Sequence, residues 1–350
     1  MSISCGTRSE QGFHSGIAHF TEHTLFKGTE HKSASVISSY LDRLGGELNA
    51  YTTKEEIVLH ATVLKEDLNK ACSLLMEIAT SATFPENEVD TERGVVIDEI
   101  KSYKDSPADD VYDRFEEMLF KGHPLSMPIL GTAKSVREIT SEELRRFVKE
   151  KFVPESMAFT IVADIDEKRM EAAVMKLCSK YFGDCKPESA PAERPAPIVL
   201  ANVFNILGGP AMNSVLNKVL RDTCRWVCGV ETSSPPYSET GILTISLGCE
   251  RENTEKCLMA VNKEILRLQT LELTERKLHA AKKQLLGQIA ISSDNGEAQC
   301  LSMGKSLLAY GQVSSSAETR RQIEEVTASQ IRDMACRIFA TGKTSCLILL

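Results

Sequence analysis

The sequence predicts an α+β fold made of two duplicated domains, each with helices packed on one face of a mainly antiparallel β-sheet. Two observations support this prediction. The chain has 350 residues, more than one ordinary hydrophobic core holds, and a single order of elements recurs in its two halves. A proline-rich stretch without helical or strand period separates the halves. We therefore predict a first domain over 1–185, a linker over 186–198 and a second domain over 199–350.

The recurring order is strand, helix, helix, helix and strand. The paired segments are GGELNAYTTKEEIVLHATV with SETGILTISLG, EDLNKACSLLMEIA with NTEKCLMAVNKEILRL, TERGVVIDEIKSY with TERKLHAAKKQLLGQI, and SEELRRFVKEKFVPESMAFTIVAD with TASQIRDMACRIFATGKTSCLILL. Chance similarity between amphipathic helices is the alternative explanation. Because five elements keep the same order in both halves, we favour duplication.

The composition bounds the class of protein. A net charge of -8 speaks against binding to a nucleic-acid backbone, which requires a basic face. The sequence has no apolar run of about 18 residues, so we predict no membrane-spanning segment. The 11 cysteines form no CxxC pair, which predicts free thiols in a reducing compartment. We expect a cytoplasmic protein, and a trimmed N-terminus would leave the periplasm or another compartment open.

One pentapeptide, HFTEH at residues 19–23, carries the strongest chemical signal. On a helix, His19 and His23 lie about 40° apart around the axis, and Glu22 lies about 60° from His19. One helical face therefore presents two imidazoles and a carboxylate. A catalytic zinc site uses such donors, with three protein ligands and a water molecule. The HxxEH order is the inverzincin signature, although the pentapeptide alone also occurs by chance.

The segment TERGVVIDEIKSY supplies the candidate third ligand. Glu92 and Glu99 are seven residues apart and so lie within about 20° of one helical face, whereas Asp98 lies about 100° further round. We assign Glu99 as the third metal ligand. Glu92 is then a nearby carboxylate that orients the site. The expected cofactor is one Zn²⁺ ion per chain.

At these residues the chain resembles the pitrilysin/insulinase family of zinc peptidases. It is most similar to the short bacterial members, which resemble mitochondrial processing peptidase subunits. The matching segments are SGIAHFTEHTLFKGT, LGGELNAYTTKEE, ERGVVIDEI, HPLSMPILGT and LGGPAMNSVLNKVLRD, so the resemblance covers nearly the whole chain. It implies two domains that close like a clamshell on short or unfolded peptides. It also implies that His19, His23 and Glu99 bind zinc, that Glu22 is the general base and that Glu92 is an additional acidic residue.

The resemblance also implies a way of binding substrate. Asn49, Ala50 and Tyr51 match the strand that receives the peptide as an added β-strand. Arg221, in VLRD, matches an arginine that the second domain directs toward the substrate. The corresponding segment of the second half, GGPAMNSVLN, contains neither His nor Glu, so one domain bears the metal and the other supports it. A peptide is the expected partner, and both a homodimer and a heterodimer with a related subunit stay open.

Two departures from the family pattern bear on activity. The family has a tyrosine seven residues after this arginine, and here that position is Cys228, whose thiol is a weak hydrogen-bond donor. The second domain also looks shortened at its start. We therefore predict a zinc-dependent endopeptidase. The alternative is an inactive or partner-dependent subunit of a heterodimeric metallopeptidase.

Overall fold

The computed structural model describes residues 1–183, 198–209, 214–235 and 237–349. The predicted linker over 186–198 lies outside the described residues, apart from its last position. The chain divides into two compact units. One contains the described residues of Met1–Ala192 with Asn295–Val313, and the other contains those of Glu193–Asp294 with Ser314–Leu350. Each unit combines antiparallel strands with helices, which confirms the predicted α+β class.

The elements have the following bounds. The strands are β1 (Ser2–Ile3), β2 (Glu47–Thr52), β3 (Ile57–Thr62), β4 (Met157–Ala158), β5 (Val227–Ser233) and β6 (Thr244–Cys249). The helices are α1 (Ile17–Leu25), α2 (Ala34–Tyr40), α3 (Leu68–Ser81), α4 (Glu86–Lys104), α5 (Pro107–Leu119), α6 (Ala133–Glu138), α7 (Ser141–Lys151), α8 (Glu167–Phe182), α9 (Ile198–Leu207), α10 (Thr254–Thr270), α11 (Glu275–Ser293), α12 (Gly296–Tyr310), α13 (Ser316–Glu325) and α14 (Ala328–Ile338). A π-helical segment spans Asn217–Thr223.

The sheet of the first unit has the strand order β2-β3-β1-β4, and all its pairs are antiparallel. Strand β2 therefore lies at an edge. Its register places Ala50 opposite Leu59 and Tyr51 opposite Val58. Because side chains alternate between faces along a strand, Ala50 and Thr52 point to one face of the sheet and Tyr51 to the other.

Helix α1 is short and packed into the hydrophobic core of the first unit. Ile17, Phe20 and Leu25 are fully buried, and the helix contacts α4, α7 and strand β2. Gly16 directly precedes the helix with φ 89°. A Cβ there would lie 2.7 Å from the carbonyl oxygen of Leu130, so both the backbone conformation and the close approach require glycine.

Helix α12 belongs to the C-terminal half of the sequence but packs in the first unit, against β1 and β4. At Gly304 a Cβ would lie 2.5 Å from Oγ of Ser2, so the absence of a side chain lets the helix approach the strand. The prediction placed helices on one face of each sheet. Helix α12 adds a helix on the opposite face, where Tyr51 and His60 point.

The second unit contains a two-stranded antiparallel sheet, β5 with β6, whose register is irregular between Val227 and Val230. Its apolar core includes Leu207, Leu220 and Ile331. The closing strand predicted for this half is wrong: within the described residues 339–349 no backbone pairs with a neighbouring strand. Among the described residues, none of the helices combines the length and apolar character needed to span a bilayer.

Candidate metal centre

Helices α1 and α4 bring the three predicted ligands together. Nε2 of His23 lies 3.5 Å from Oε2 of Glu99, and Nε2 of His19 lies 3.8 Å from the same oxygen. The two imidazole centroids are 4.7 Å apart, as expected for residues one turn apart on a helix. One donor atom from each residue lies within 4.8 Å of the other two, and the described residues contain no second group of this kind.

The spacing and charge of these donors fit zinc. At a tetrahedral zinc ion, two ligand atoms that are each about 2.1 Å from the ion lie about 3.4 Å apart. Oε2 of Glu99 lies at the similar distances of 3.5 and 3.8 Å from Nε2 of His23 and of His19. Burial, reinforced by neighbouring His23, lowers the pKa of His19 to about 4, so its imidazole is neutral. Its buried Nδ1 has no hydrogen-bond partner. A hydrogen bond to His23 lowers the pKa of Glu99, so a carboxylate is available as a ligand.

Glu92 contacts the other nitrogen of the His23 ring. Its Oε2 lies 3.1 Å from Nδ1 of His23, and its Oε1 lies 2.6 Å from Nζ of Lys27. Burial lowers the pKa of His23, but hydrogen bonds to Glu99 and Glu92 outweigh this effect, so the pKa rises overall. A carboxylate on the ring nitrogen that faces away from a metal fixes the tautomer and the ring orientation. Glu92 is buried and placed for that task.

Glu22 lies on α1 between the histidines but outside the three-residue donor group. Its Oε2 accepts a hydrogen bond from Oγ1 of Thr52 at 2.6 Å. Burial raises the pKa of Glu22, and the hydrogen bond from Thr52 and the charge of His23 oppose this rise. A carboxylate with a raised pKa, fixed through one oxygen, is suited to accept a proton on the other.

Glu10 fixes the start of helix α1. Its side-chain oxygens accept hydrogen bonds from the backbone N–H groups of Gly16, at 2.9 Å, and Ala18, at 3.0 Å. The first N–H groups of a helix have no partner within it, so these bonds satisfy donors that would otherwise be buried and unpaired. Burial raises the pKa of Glu10 to about 8, although the same backbone bonds oppose the rise.

The predicted peptide-binding residues occupy two different units. Asn49, Ala50 and Tyr51 lie in β2, whose one strand neighbour among the described residues is β3. The next residue along β2, Thr52, contacts Glu22 on α1, the helix that carries the candidate ligands His19 and His23. Arg221 lies in the second unit, in the π-helical segment, and its Nε donates to Oδ1 of Asp222 at 2.9 Å.

Sequence reasoning missed three residues that organise the site: Glu10, Lys27 and Thr52. The period of two along β2 places Thr52 on the same face as Ala50, so strand alternation gave a usable signal for it. Lys27 follows the end of α1 and therefore falls outside the helical period. Glu10 lies six residues before Gly16, and nothing in the local sequence connects it to the helix.

Comparisons with known proteins match both halves of the chain to peptidase family M16. The family described as Insulinase (Peptidase family M16) matches residues 1–133, and the family described as Peptidase M16 inactive domain matches residues 198–285. A Bacillus subtilis protein named uncharacterized zinc protease YmxG is 27% identical, covering 99% of this chain and 91% of the relative. A Rickettsia bellii protein named uncharacterized zinc protease is also 27% identical, covering 98% of this chain and 90% of the relative.

Two solved structures have the same fold. A protease from Helicobacter pylori gives a TM-score of 0.83 at 19% identity, with 96% of this chain and 90% of that chain covered. A Pseudomonas fluorescens structure described as a peptidase M16 inactive domain gives 0.82 at 19% identity, with 96% and 88% covered. At this level of identity the likeness concerns the fold alone.

Proposed function

Because the chain belongs to the insulinase family of peptidases, M16, we propose that it is a zinc-dependent endopeptidase acting on short or unfolded peptides. The observation that carries the proposal is the convergence of His19, His23 and Glu99 on one point, with Glu22 beside them. The proposed cofactor is one zinc ion held by these three side chains.

Zinc at such a site lowers the pKa of a water molecule and polarises the peptide carbonyl group. The protein's own residues supply the remaining steps. Since Oε2 of Glu22 accepts the hydrogen bond from Thr52, Oε1 is the atom proposed to take the proton from the attacking water. The same carboxyl group then delivers this proton to the leaving amine. The contact between Glu92 and Nδ1 keeps the His23 ring oriented during these transfers.

The edge of β2 is the proposed place of peptide binding. An extended peptide added beside Asn49, Ala50 and Tyr51 would bond through its backbone, which gives affinity with little demand on sequence. A strand that already pairs on one side with β3 is preorganised for this addition. Arg221, from the second unit, is the proposed additional contact with the substrate. A folded protein has few extended segments free to pair, which favours short or unfolded substrates.

A library of quenched fluorescent peptides tests this function. We expect the zinc-loaded protein to cleave part of the library and a chelator to stop cleavage. Glu22→Gln should lower the rate by about 10²- to 10⁴-fold, because it removes the base, while zinc content stays at one per chain. Glu99→Gln should lower zinc content as well. The exposed Glu86→Gln on α4 is the matched control. Equal cleavage by the Glu22→Gln protein would refute the proposal.

Cys228 favours a second candidate, a subunit that needs a related partner for activity. This residue is exposed on β5, at the position where the family resemblance leads us to expect a tyrosine. Measuring the mass of the purified chain in solution and its turnover over a range of concentrations separates the two candidates. Robust turnover by a monomer, unchanged in Cys228→Tyr, would remove the case for a partner.

A further inference from the structure

Helix α12 reaches the strands β2 and β3 through two charged side chains. Oε1 of Glu297 lies 2.9 Å from Nδ1 of His60 on β3. Nζ of Lys305 lies 3.0 Å from Oε1 of Glu56 and 5.6 Å from the centre of the Tyr51 ring. Lys305 follows Glu297 by eight residues, a little over two helical turns. The helix therefore contacts the antiparallel pair of β2 and β3 at two separate points.

Helix α12 also packs against β1 and β4 of the same sheet. Gly304 allows it to approach β1 closely, as described above. Beside β4, Oγ1 of Thr160 donates to the carbonyl oxygen of Cys300 at 3.1 Å. These contacts hold α12 against the sheet, so the contact of Glu297 with His60 and the ion pair of Lys305 with Glu56 can restrain β2 and β3.

The two residues that Lys305 contacts lie before and after Thr52 in the chain. Tyr51 directly precedes Thr52, and Glu56 lies in the turn that leads into β3. Thr52 in turn donates its hydrogen bond to Glu22. An edge strand paired on one side opens more readily than a central strand. Lys305 therefore restrains the end of β2 that carries Thr52, and the position of Thr52 affects that of Glu22.

We propose that Glu297 and Lys305 are positioning residues: they keep β2 in the conformation that accepts an extended peptide, so a segment from the C-terminal half completes the N-terminal site. Neither residue contacts the metal ligands. The substrate part of this inference rests on the peptidase function proposed above, whereas the restraint of β2 does not depend on turnover.

Hydrogen–deuterium exchange of the full chain tests the restraint. In the double variant Glu297→Gln/Lys305→Met we expect the amides of 47–52 to exchange about fivefold faster, with exchange in α1 unchanged. Lys305→Arg should behave like the natural protein. Lys283→Met, at an exposed lysine on α11, is the matched control and should leave β2 unaffected. Unaltered exchange of β2 in the double variant would overturn the inference.

Kinetics then separate positioning from general structural support. The double variant should raise KM for an extended peptide about tenfold and lower kcat by less than that, with zinc content unchanged, and Lys305→Arg should restore KM. Loss of zinc together with a fall in kcat would show structural support only and overturn the positioning role. If the natural protein cleaves no peptide, the proposed function fails. The affinity of the double variant for a labelled extended peptide then replaces KM as the decisive measurement.

Discussion

Oε2 of Glu92 lies 3.1 Å from Nδ1 of His23, on the opposite side of the ring from the nitrogen that faces Glu99. The imidazole is therefore contacted by a carboxylate on each side, both from α4. Lys27 balances part of the charge of Glu92 through a 2.6 Å contact. A carboxylate in this position favours one tautomer of His23 and one direction of its free lone pair, so we propose that Glu92 orients a candidate metal ligand without being one.

Replacing Glu92 by glutamine should weaken zinc binding about 10- to 100-fold, because the ring of His23 loses its charged partner. Competition with a chromogenic chelator measures the affinity directly and does not require activity. Glu86→Gln, at the exposed start of the same helix, should bind zinc like the natural protein. Equal affinities in the two variants would show that Glu92 has no role in orienting the ligand.

Replacing Thr52 by valine should change the pH dependence of activity. Burial raises the pKa of Glu22, and the hydrogen bond from Thr52 lowers it. Without this hydrogen bond the pKa of Glu22 should therefore rise further. A general base must be ionised, so activity disappears as pH falls through this pKa. The acid limb of kcat/KM should therefore move to higher pH, while the rates at alkaline pH stay close to those of the natural protein. Thr62→Val, at the exposed end of β3, should not move the limb.

Glu10 should make stability depend on pH. Its pKa is raised by burial from an ordinary value of 4.5 to about 8, so its protonated form is favoured in the folded state. This favourable contribution is complete below about pH 4.5 and is lost as pH rises to about 8. Urea unfolding at several pH values should show the natural protein losing stability over this window relative to Glu10→Gln. A constant difference between the two proteins would contradict the prediction.

Gly16 should tolerate no side chain, for two separable reasons. Its φ of 89° strains an alanine, and a Cβ would also meet the carbonyl oxygen of Leu130 at 2.7 Å. Gly12 has a φ of 86°, but a Cβ at that position would meet nothing within 4 Å, so it isolates the first effect. We expect Gly12→Ala to cost about 1 kcal/mol in the free energy of unfolding. Gly16→Ala should cost about 2–4 kcal/mol and weaken zinc binding. Equal losses would show that contact with Leu130 is unimportant.

Local periodicity predicted which side chains of the candidate site share a helical face, and the resemblance to a known family supported the choice of the two helices. Residues four apart on a helix share a face, and so do residues seven apart, which is why His19 with His23 and Glu92 with Glu99 were identified together. The strand carrying Tyr51 was also predictable, from its alternation and from the resemblance to a known family. The closing strand of the second half was not, because an apolar run becomes a strand only when a neighbouring edge is available to pair with it.

The sequence alone determined which side chains share each helical or strand face, since these periods depend only on the geometry of neighbouring residues. The tertiary structure decided which faces meet. It brought Thr52 into hydrogen-bond contact with Glu22 and Lys27 into contact with Glu92. It also packed α12 against the face of the first sheet to which Tyr51 and His60 point. Such contacts join segments far apart in the chain, and they depend on the packing of whole elements, which no local spacing encodes.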